Sequence, residues 1–301
     1  MKNIIIYGPT AVGKSDIAIL LAKKINAEII SADSMQIYKD LNIGSAKITE
    51  EETQGIKHHL LDIRDSLENY SAFDFCEDCK KIIDDIKSRG KNVVICGGTG
   101  LYIKALTEHY DCGTVVCDEE FRKKCEDMSN EELYDMLLKL DEEKAKTIHV
   151  NNKHRIIRAL EIATQKGCAN KSKYDEDYVI FGLVDDREVL YQRINKRVDK
   201  MQQLGLIDEV KYLLKHGATL ESQSMKAIGY KELIPYIEGQ KELNECLEEI
   251  KKRTRNYAKR QLTFMNQFPN IIKVNVTTKE NTANEIYKII EVNNWINTNN
   301  C

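Results

Sequence analysis

Short apolar runs punctuate the first hundred positions, and each ends in a loop rich in glycine or small polar residues. Residues 2–7 read KNIIIY, 28–31 read EIIS and 92–96 read NVVIC. They are brief, mostly β-branched and without polar alternation, which predicts strands buried on both faces. Between them apolar residues recur at helical spacing. The pattern predicts a helix over 14–25 and a longer one over 71–89, opened by Ser71 with Asp74 and stopped by Gly90. Thr49 with Glu52 predicts a capping box for a further short helix. Alternating strand and helix implies a parallel sheet with helices on both faces. Ligands of such sheets bind beyond the carboxyl ends of the strands, and here those ends carry GPTAVGKS, SADSMQIY and GGTGLY.

The rhythm changes near Asp111. Helices are predicted over 118–127, 130–140 (with a Ser129/Glu132 capping box) and 153–164, and no strand intervenes until 178–183. Residues 112–177 therefore read as a helical insertion domain that ends in a polar, glycine-containing loop at 167–173, leaving 1–111 and 178–301 as the core. Later come helices over 187–204, 206–216 and 243–268, a strand over 271–276, a helix over 284–295 and an unstructured tail, NTNNC. The fold class is α/β: a P-loop-type parallel sheet flanked by helices, with a helical insertion.

Of the 301 residues, 42% are hydrophobic and 31% charged, a balance that fits a soluble globular protein. No apolar run reaches bilayer length, and MKNIIIYGPT begins inside a strand rather than a signal peptide, so a cytoplasmic location is expected. Nine cysteines, an odd number, argue against a disulfide scaffold. Cys76 and Cys79, with Cys112 and Cys117, offer a zinc set, but helical packing, which puts the first pair on one face, is the stronger reading. The net charge of −3 says nothing of a nucleic-acid partner. Its distribution does: Lys251, Lys252, Arg253, Arg255, Lys259 and Arg260 fall within ten positions. Such a stripe either neutralises a phosphate backbone or forms a solvated face balanced by Glu245, Glu248 and Glu249.

Residues 8–15, GPTAVGKS, match G-x-x-x-x-G-K-[ST] between a strand and a helix. Gly8 and Gly13 let backbone N–H groups converge on an anion, Lys14 brings charge, and the Ser15 hydroxyl suits Mg²⁺. Asp33 can act as a proton acceptor, hold Mg²⁺ or cap a turn, and Asp185-Asp186 is a second candidate carboxylate pair for Mg²⁺. Thr99 can donate its hydroxyl to an anion, cap the next helix, or do both. Arg193 and Arg197, at i and i+4, lie on one helix face and either clamp a diphosphate or form a surface pair neutralised by Glu188 and Asp199. Tyr257 and Phe264, among basic residues in NYAKRQLTFMNQF, suit stacking on RNA bases or simple core packing.

In order along nearly the whole chain, GPTAVGKS, ADSMQIY, HHLLDIRDSLENYSAFDF, GGTGLYI, RIIRALEI, AIGYKEL and RTRNYAKRQLTF resemble the tRNA dimethylallyltransferase family. The resemblance implies that Gly8, Pro9, Thr10, Ala11, Val12, Gly13, Lys14 and Ser15 hold the diphosphate of dimethylallyl diphosphate, with Mg²⁺ on Ser15. It implies that Asp33 takes a proton from N6 of adenosine 37 in tRNAs that read codons beginning with U, while Thr99 and Arg197 hold the leaving diphosphate. Asp33, Ser34, Met35, Gln36 and Thr99 would meet the base. Arg155 and Arg158 of the insertion, with Arg253 and Arg255 of the basic helix, would grip the anticodon stem-loop. A monomer is expected. Other classes share the opening loop: a kinase, a prenyltransferase of free adenine nucleotides, or an RNA-binding protein with a degenerate loop. The insertion and basic helix argue against the second, and intact Lys14, Ser15, Asp33 and Thr99 against the last.

Overall fold

The computed structural model describes residues 1–108, 118–165 and 174–296. Cys112, Cys117, the 167–173 loop and the NTNNC tail lie outside the described residues. Two compact units emerge: Met1–Thr107 with Asp175–Cys301, and Glu108–Tyr174.

The first unit opens with β1 (Asn3–Tyr7), α1 (Lys14–Lys24), β2 (Ala27–Ser31), β3 (His58–His59), α2 (Ala72–Ser88), β4 (Asn92–Gly97) and α3 (Gly100–Thr107). The second unit contains α4 (Glu119–Glu126), α5 (Asn130–Leu140), α6 (Glu142–Lys146) and α7 (Lys153–Thr164). The chain then returns to the first with β5 (Tyr178–Val184), α8 (Arg187–Gln203), α9 (Leu206–Lys215), α10 (Ile234–Ile237), α11 (Leu243–Met265), β6 (Ile272–Asn275) and α12 (Lys279–Val292).

The sheet is parallel throughout, in the order β3-β2-β4-β1-β5-β6. Every residue of β1 is buried, as an apolar run covered on both faces requires. The chain leaves β1 toward β2 on one side and leaves β4 toward β5 on the other. Right-handed crossovers therefore carry the two connections off by opposite faces, and ligands of such a sheet bind between those loops at its carboxyl end. Ser71 and Asp74 form the capping box that starts α2. The Thr49/Glu52 box also forms, but it closes a run of turns rather than the helix predicted there. The last helix begins at Lys279, ahead of the start that its apolar spacing indicates, because Thr278 caps it.

β3 is two residues long and escapes sequence patterning. A buried charge secures it. The Glu28 carboxylate, 2% exposed on β2, accepts hydrogen bonds from Arg89 Nη2 at 2.8 Å and Lys91 Nζ at 2.9 Å, and lies 2.8 Å from His59 Nε2. Arg89 foremost, then Lys91 and His59, outweigh burial and hold Glu28 well below its ordinary 4.5. A depressed carboxyl pKa gives stability that is present above the unfolded value and lost as pH falls. Glu28→Gln is expected to lower stability by roughly 1–3 kcal/mol at neutral pH. The melting temperature of the variant should also decline less than that of the wild type between about pH 5 and 3. Parallel melting profiles would contradict this.

In the second unit, α5 and α7 pack around Leu133, Leu137, Ile156 and Leu160. Burial opposes ionisation of Glu161, but hydrogen bonds from Arg122 and Arg158 prevail and keep its carboxyl below the ordinary value.

Candidate functional site

The loops after β1, β2 and β4 meet at the carboxyl end of the sheet. In the first, Ala11 (φ 63°) and Gly13 (φ 96°) both take left-handed backbone, which turns successive N–H groups toward a common point and builds an anion nest. Lys14 folds back over this loop and donates to the Pro9 carbonyl at 2.8 Å. Burial lowers its pKa to about 8, against the opposing influence of Cys96 and Asp33. Ser15 is exposed at the start of α1.

An anion here stabilises the charged form of Lys14. Below pH about 8 the ammonium is present in the free protein and attracts the anion; above it, binding must first recover the proton. Affinity for Mg²⁺-diphosphate is therefore expected to fall above pH 8 by up to about tenfold per unit, and this limb should vanish in Lys14→Met. Calorimetry from about pH 7 to 9.5 with both proteins checks it, the ratio of affinities cancelling the titration of diphosphate itself.

Asp33 follows β2. Its Oδ1 accepts N–H bonds from Met35 at 2.9 Å and Gln36 at 3.4 Å, so the turn role is real. Among the described residues no hydrogen bond reaches Oδ2, which keeps its capacity to accept a proton. Thr99 lies at the tip of the β4 loop, where Oγ1 accepts the Ser34 N–H at 3.0 Å and the Thr99 N–H donates to the Ala32 carbonyl at 3.2 Å. These bonds join the ends of β2 and β4, bringing Asp33, Ser34 and Thr99 together. Gln36 is held inside the chain: Ser31 Oγ donates to its Oε1 at 3.2 Å, and its Nε2 reaches the Ser45 and Ala46 carbonyls at 3.4 Å.

The two arginines of α8 part ways. Arg193 binds Asp185 at 2.6 Å. Arg197 is half-buried, and its charge is felt by Lys14 and stabilised by Asp33 and Glu52 although burial lowers its pKa. Neither Glu188 nor Asp199 neutralises the pair as a surface reading requires, since Asp199 binds Lys251 at 2.8 Å. Asp186 caps α8, so Asp185 and Asp186 are both engaged. Asp16 pairs with Lys279 at 2.8 Å. For Mg²⁺ the Ser15 hydroxyl and Asp33 Oδ2 remain, hard oxygen donors of the kind that ion takes.

From α11, Tyr257 approaches Thr99 and Gln261; burial first, and the charge of Asp33 next, push its phenol up. Phe264 packs at Gly100 and against Phe268, with ring centroids 5.7 Å apart. Sequence reasoning overlooked Gln261, whose side chain bonds Thr10 and Gly98. It also overlooked Glu209, which accepts the N–H groups of Asn42, Ile43 and Gly44 and the Tyr230 hydroxyl at 2.7–3.0 Å. Only the unusual Gln within a basic amphipathic stretch signals the first.

Arg253 is exposed and bonds Glu249 at 2.7 Å, with Glu232 at 3.4 Å. Arg255 donates to Asn195 at 2.6 Å. Arg155 is exposed on α7, and Arg158 bonds Glu161 at 3.0 Å. Cys76 and Cys79 are buried on α2, and burial drives the Cys79 thiol well above its ordinary value. Among the described residues no group of three or more His, Cys, Asp and Glu side chains could hold a metal, and no helix is long and apolar enough to cross a membrane.

The fold and site define a phosphate-loop α/β enzyme with a carboxylate, a hydroxyl and a half-buried arginine grouped beside the anion nest. The model of one family, IPP transferase, matches residues 36–268. The tRNA dimethylallyltransferase of Halalkalibacterium halodurans is 42% identical over 308 residues, covering 98% of this chain and 96% of that protein. That of Carboxydothermus hydrogenoformans is 47% identical over 282 residues, covering 90% of each. Among solved structures, the tRNA isopentenylpyrophosphate transferase of Bacillus halodurans superposes with a TM-score of 0.74 at 41% identity, over 97% of this chain and 96% of that one. A eukaryotic dimethylallyltransferase acting on tRNA superposes with a TM-score of 0.86 at 31% identity, over 97% and 80%. The chain belongs to the IPP transferase family.

Proposed function

We propose that this protein transfers a dimethylallyl group from dimethylallyl diphosphate to N6 of adenosine 37 in tRNAs that read codons beginning with U, releasing diphosphate. The observation that supports the reading is that Asp33, one of whose carboxylate oxygens accepts no hydrogen bond among the described residues, acts on the charges of both Lys14 and Arg197 while its neighbour Ser34 bonds Thr99.

The chemistry needs two things. Breaking the allylic C–O bond leaves a resonance-stabilised cation, so the main task is to neutralise the departing diphosphate. The nest of residues 8–15, Lys14 and Arg197 supply fixed positive charge, with Thr99 donating a further hydrogen bond. Mg²⁺ held through Ser15 would supply Lewis-acid neutralisation of the diphosphate. The second need concerns the nucleophile, because the adenine N6 lone pair is delocalised into its ring. Oδ2 of Asp33 accepts the N6 proton as the new C–N bond forms. The base must leave its stack, which costs a few kcal/mol and favours a loop nucleotide over a paired one. Ser34, Met35 and Gln36 would meet it on arrival, Gln36 after releasing its bonds to Ser31, Ser45 and Ala46. The unit Glu108–Tyr174, through Arg155 and Arg158, and α11, through Arg253 and Arg255, grip the anticodon stem-loop. Of these four arginines, Arg158 and Arg253 are held in ion pairs and Arg255 in a bond to Asn195, while Arg155 is exposed on α7.

The test is to incubate the protein with Mg²⁺, dimethylallyl diphosphate and an unmodified anticodon stem-loop, with AMP in a parallel tube, and to analyse nucleosides by mass spectrometry. Prenylated adenosine at position 37 of the RNA alone is the expected result. Product from AMP alone would move the acceptor to free nucleotides. Turnover of ATP without prenylation would make the loop that of a kinase.

A further inference from the structure

We infer that Gln261 is a positioning residue that clamps the phosphate loop and the β4 loop at one fixed spacing, and thereby sets the geometry in which the diphosphate leaves; this rests on the function proposed above. Gln261 is 4% exposed on α11. Its Oε1 accepts the Thr10 N–H at 2.8 Å, and its Nε2 donates to the Gly98 carbonyl at 2.9 Å. The Tyr7 hydroxyl donates to its backbone carbonyl at 2.9 Å, fixing this turn of the helix to β1. One planar amide thus spans the two loops that bracket the anion site. The fit is tight, since a Cβ on Gly98 would meet Gln261 Nε2 closer than real Cβ atoms approach.

The arrangement has three chemical consequences. The Thr10 N–H is committed to Gln261, so the nest formed around Ala11 and Gly13 is held open by a side chain from outside the loop. The Gly98 carbonyl is turned toward α11, which leaves Thr99 aimed at Ser34 and the site. An amide both donates and accepts here, and unlike a carboxyl group it does so at every pH. Removing it leaves a part-buried N–H and a buried carbonyl without this partner, and both loops are freed to seek others.

The test uses the full chain with Gln261→Leu and Gln261→Glu. Gln261→Leu keeps the volume and removes both bonds. Affinity for Mg²⁺-diphosphate, measured by calorimetry, is expected to fall at least about tenfold, with stem-loop affinity changed less than about threefold. Gln261→Glu places a carboxyl in the same slot. When protonated it reproduces both bonds, its O–H donating to Gly98 and its carbonyl accepting from Thr10; when ionised it repels the Gly98 carbonyl. The ratio of variant to wild-type diphosphate affinity, and of kcat/KM, is therefore expected to rise as pH is lowered from about 9 to 6. Among the described residues, Lys14 on the clamped loop titrates at about pH 8, which the ratio to wild type divides out, and the titratable groups that approach Gln261 itself are Tyr7 from β1 and Tyr257 from α11. Burial pushes both phenols up, so they stay neutral across this range.

A purely structural role would lower the melting temperature without this pH signature. Gln261→Leu within about twofold of wild type, or a flat Gln261→Glu ratio, would overturn the inference. If Gln261→Leu does not fold, the Gln261→Glu series decides alone. If the wild type binds diphosphate but modifies no RNA, the proposed function fails, while the diphosphate arm still decides the role of Gln261.

Discussion

Asp33→Asn is expected to lower kcat by about 10²–10⁴-fold, the range for loss of a general base, while stem-loop affinity stays within a few-fold of wild type. Asparagine is the informative replacement. Its side-chain oxygen can still accept the Met35 and Gln36 N–H bonds that Oδ1 of Asp33 accepts, so the turn survives and only the proton acceptor is lost. Asp33→Ala removes both, and a larger fall in RNA affinity for alanine than for asparagine would measure the turn's share. Single-turnover rates with saturating stem-loop, alongside RNA binding, check the prediction. If RNA binding collapses in Asp33→Asn as far as turnover does, Asp33 is a binding residue and the proton goes elsewhere.

Arg197→Ala is expected to lower kcat/KM for dimethylallyl diphosphate by about 10²–10³-fold, as removal of a fixed transition-state donor does, whereas Arg193→Ala should change it less than about threefold. The contrast comes from pairing. Arg193 is exposed and bound to Asp185 at 2.6 Å, so its charge is neutralised where it stands. Arg197 is half-buried and shares its surroundings with Asp33 and Lys14. Holding a guanidinium there disfavours its charged form, a cost that an arriving diphosphate offsets and that a surface residue never incurs. Arg197→Lys should recover only part of the loss, because an ammonium lacks the planar fork that meets two phosphate oxygens at once. Equal effects at the two arginines would contradict this account.

Much of the scaffold was legible in the chain. Buried strands announce themselves as uninterrupted apolar runs, and NIIIY, NVVIC and VIFGL fall on β1, β4 and β5. The parallel sheet follows from their alternation with helices. Capping chemistry is local, so the Ser71/Asp74 and Ser129/Glu132 boxes form where their spacing puts them. The misses have equally local causes. His58–His59 is too short to show a period, and α6 is only five residues long. A capping box at Thr49 and Glu52 is satisfied by a turn as well as by a helix.

The chain itself dictates the strands, the parallel sheet and the left-handed anion loop, because each depends on residues within a few positions of one another. What surrounds that loop depends on strand order. Because β4 lies beside β2, Thr99 reaches Ser34 across 65 positions. Because α11 crosses the same edge of the sheet, Gln261 reaches Thr10 across 251. Two arginines four residues apart are alike to any reading of spacing, and only the packed α8 sends one to Asp185 and the other toward Asp33. Identity and periodicity are local properties. The partner that each charge or amide finds is settled by desolvation, once distant segments are buried together and every polar group must be satisfied.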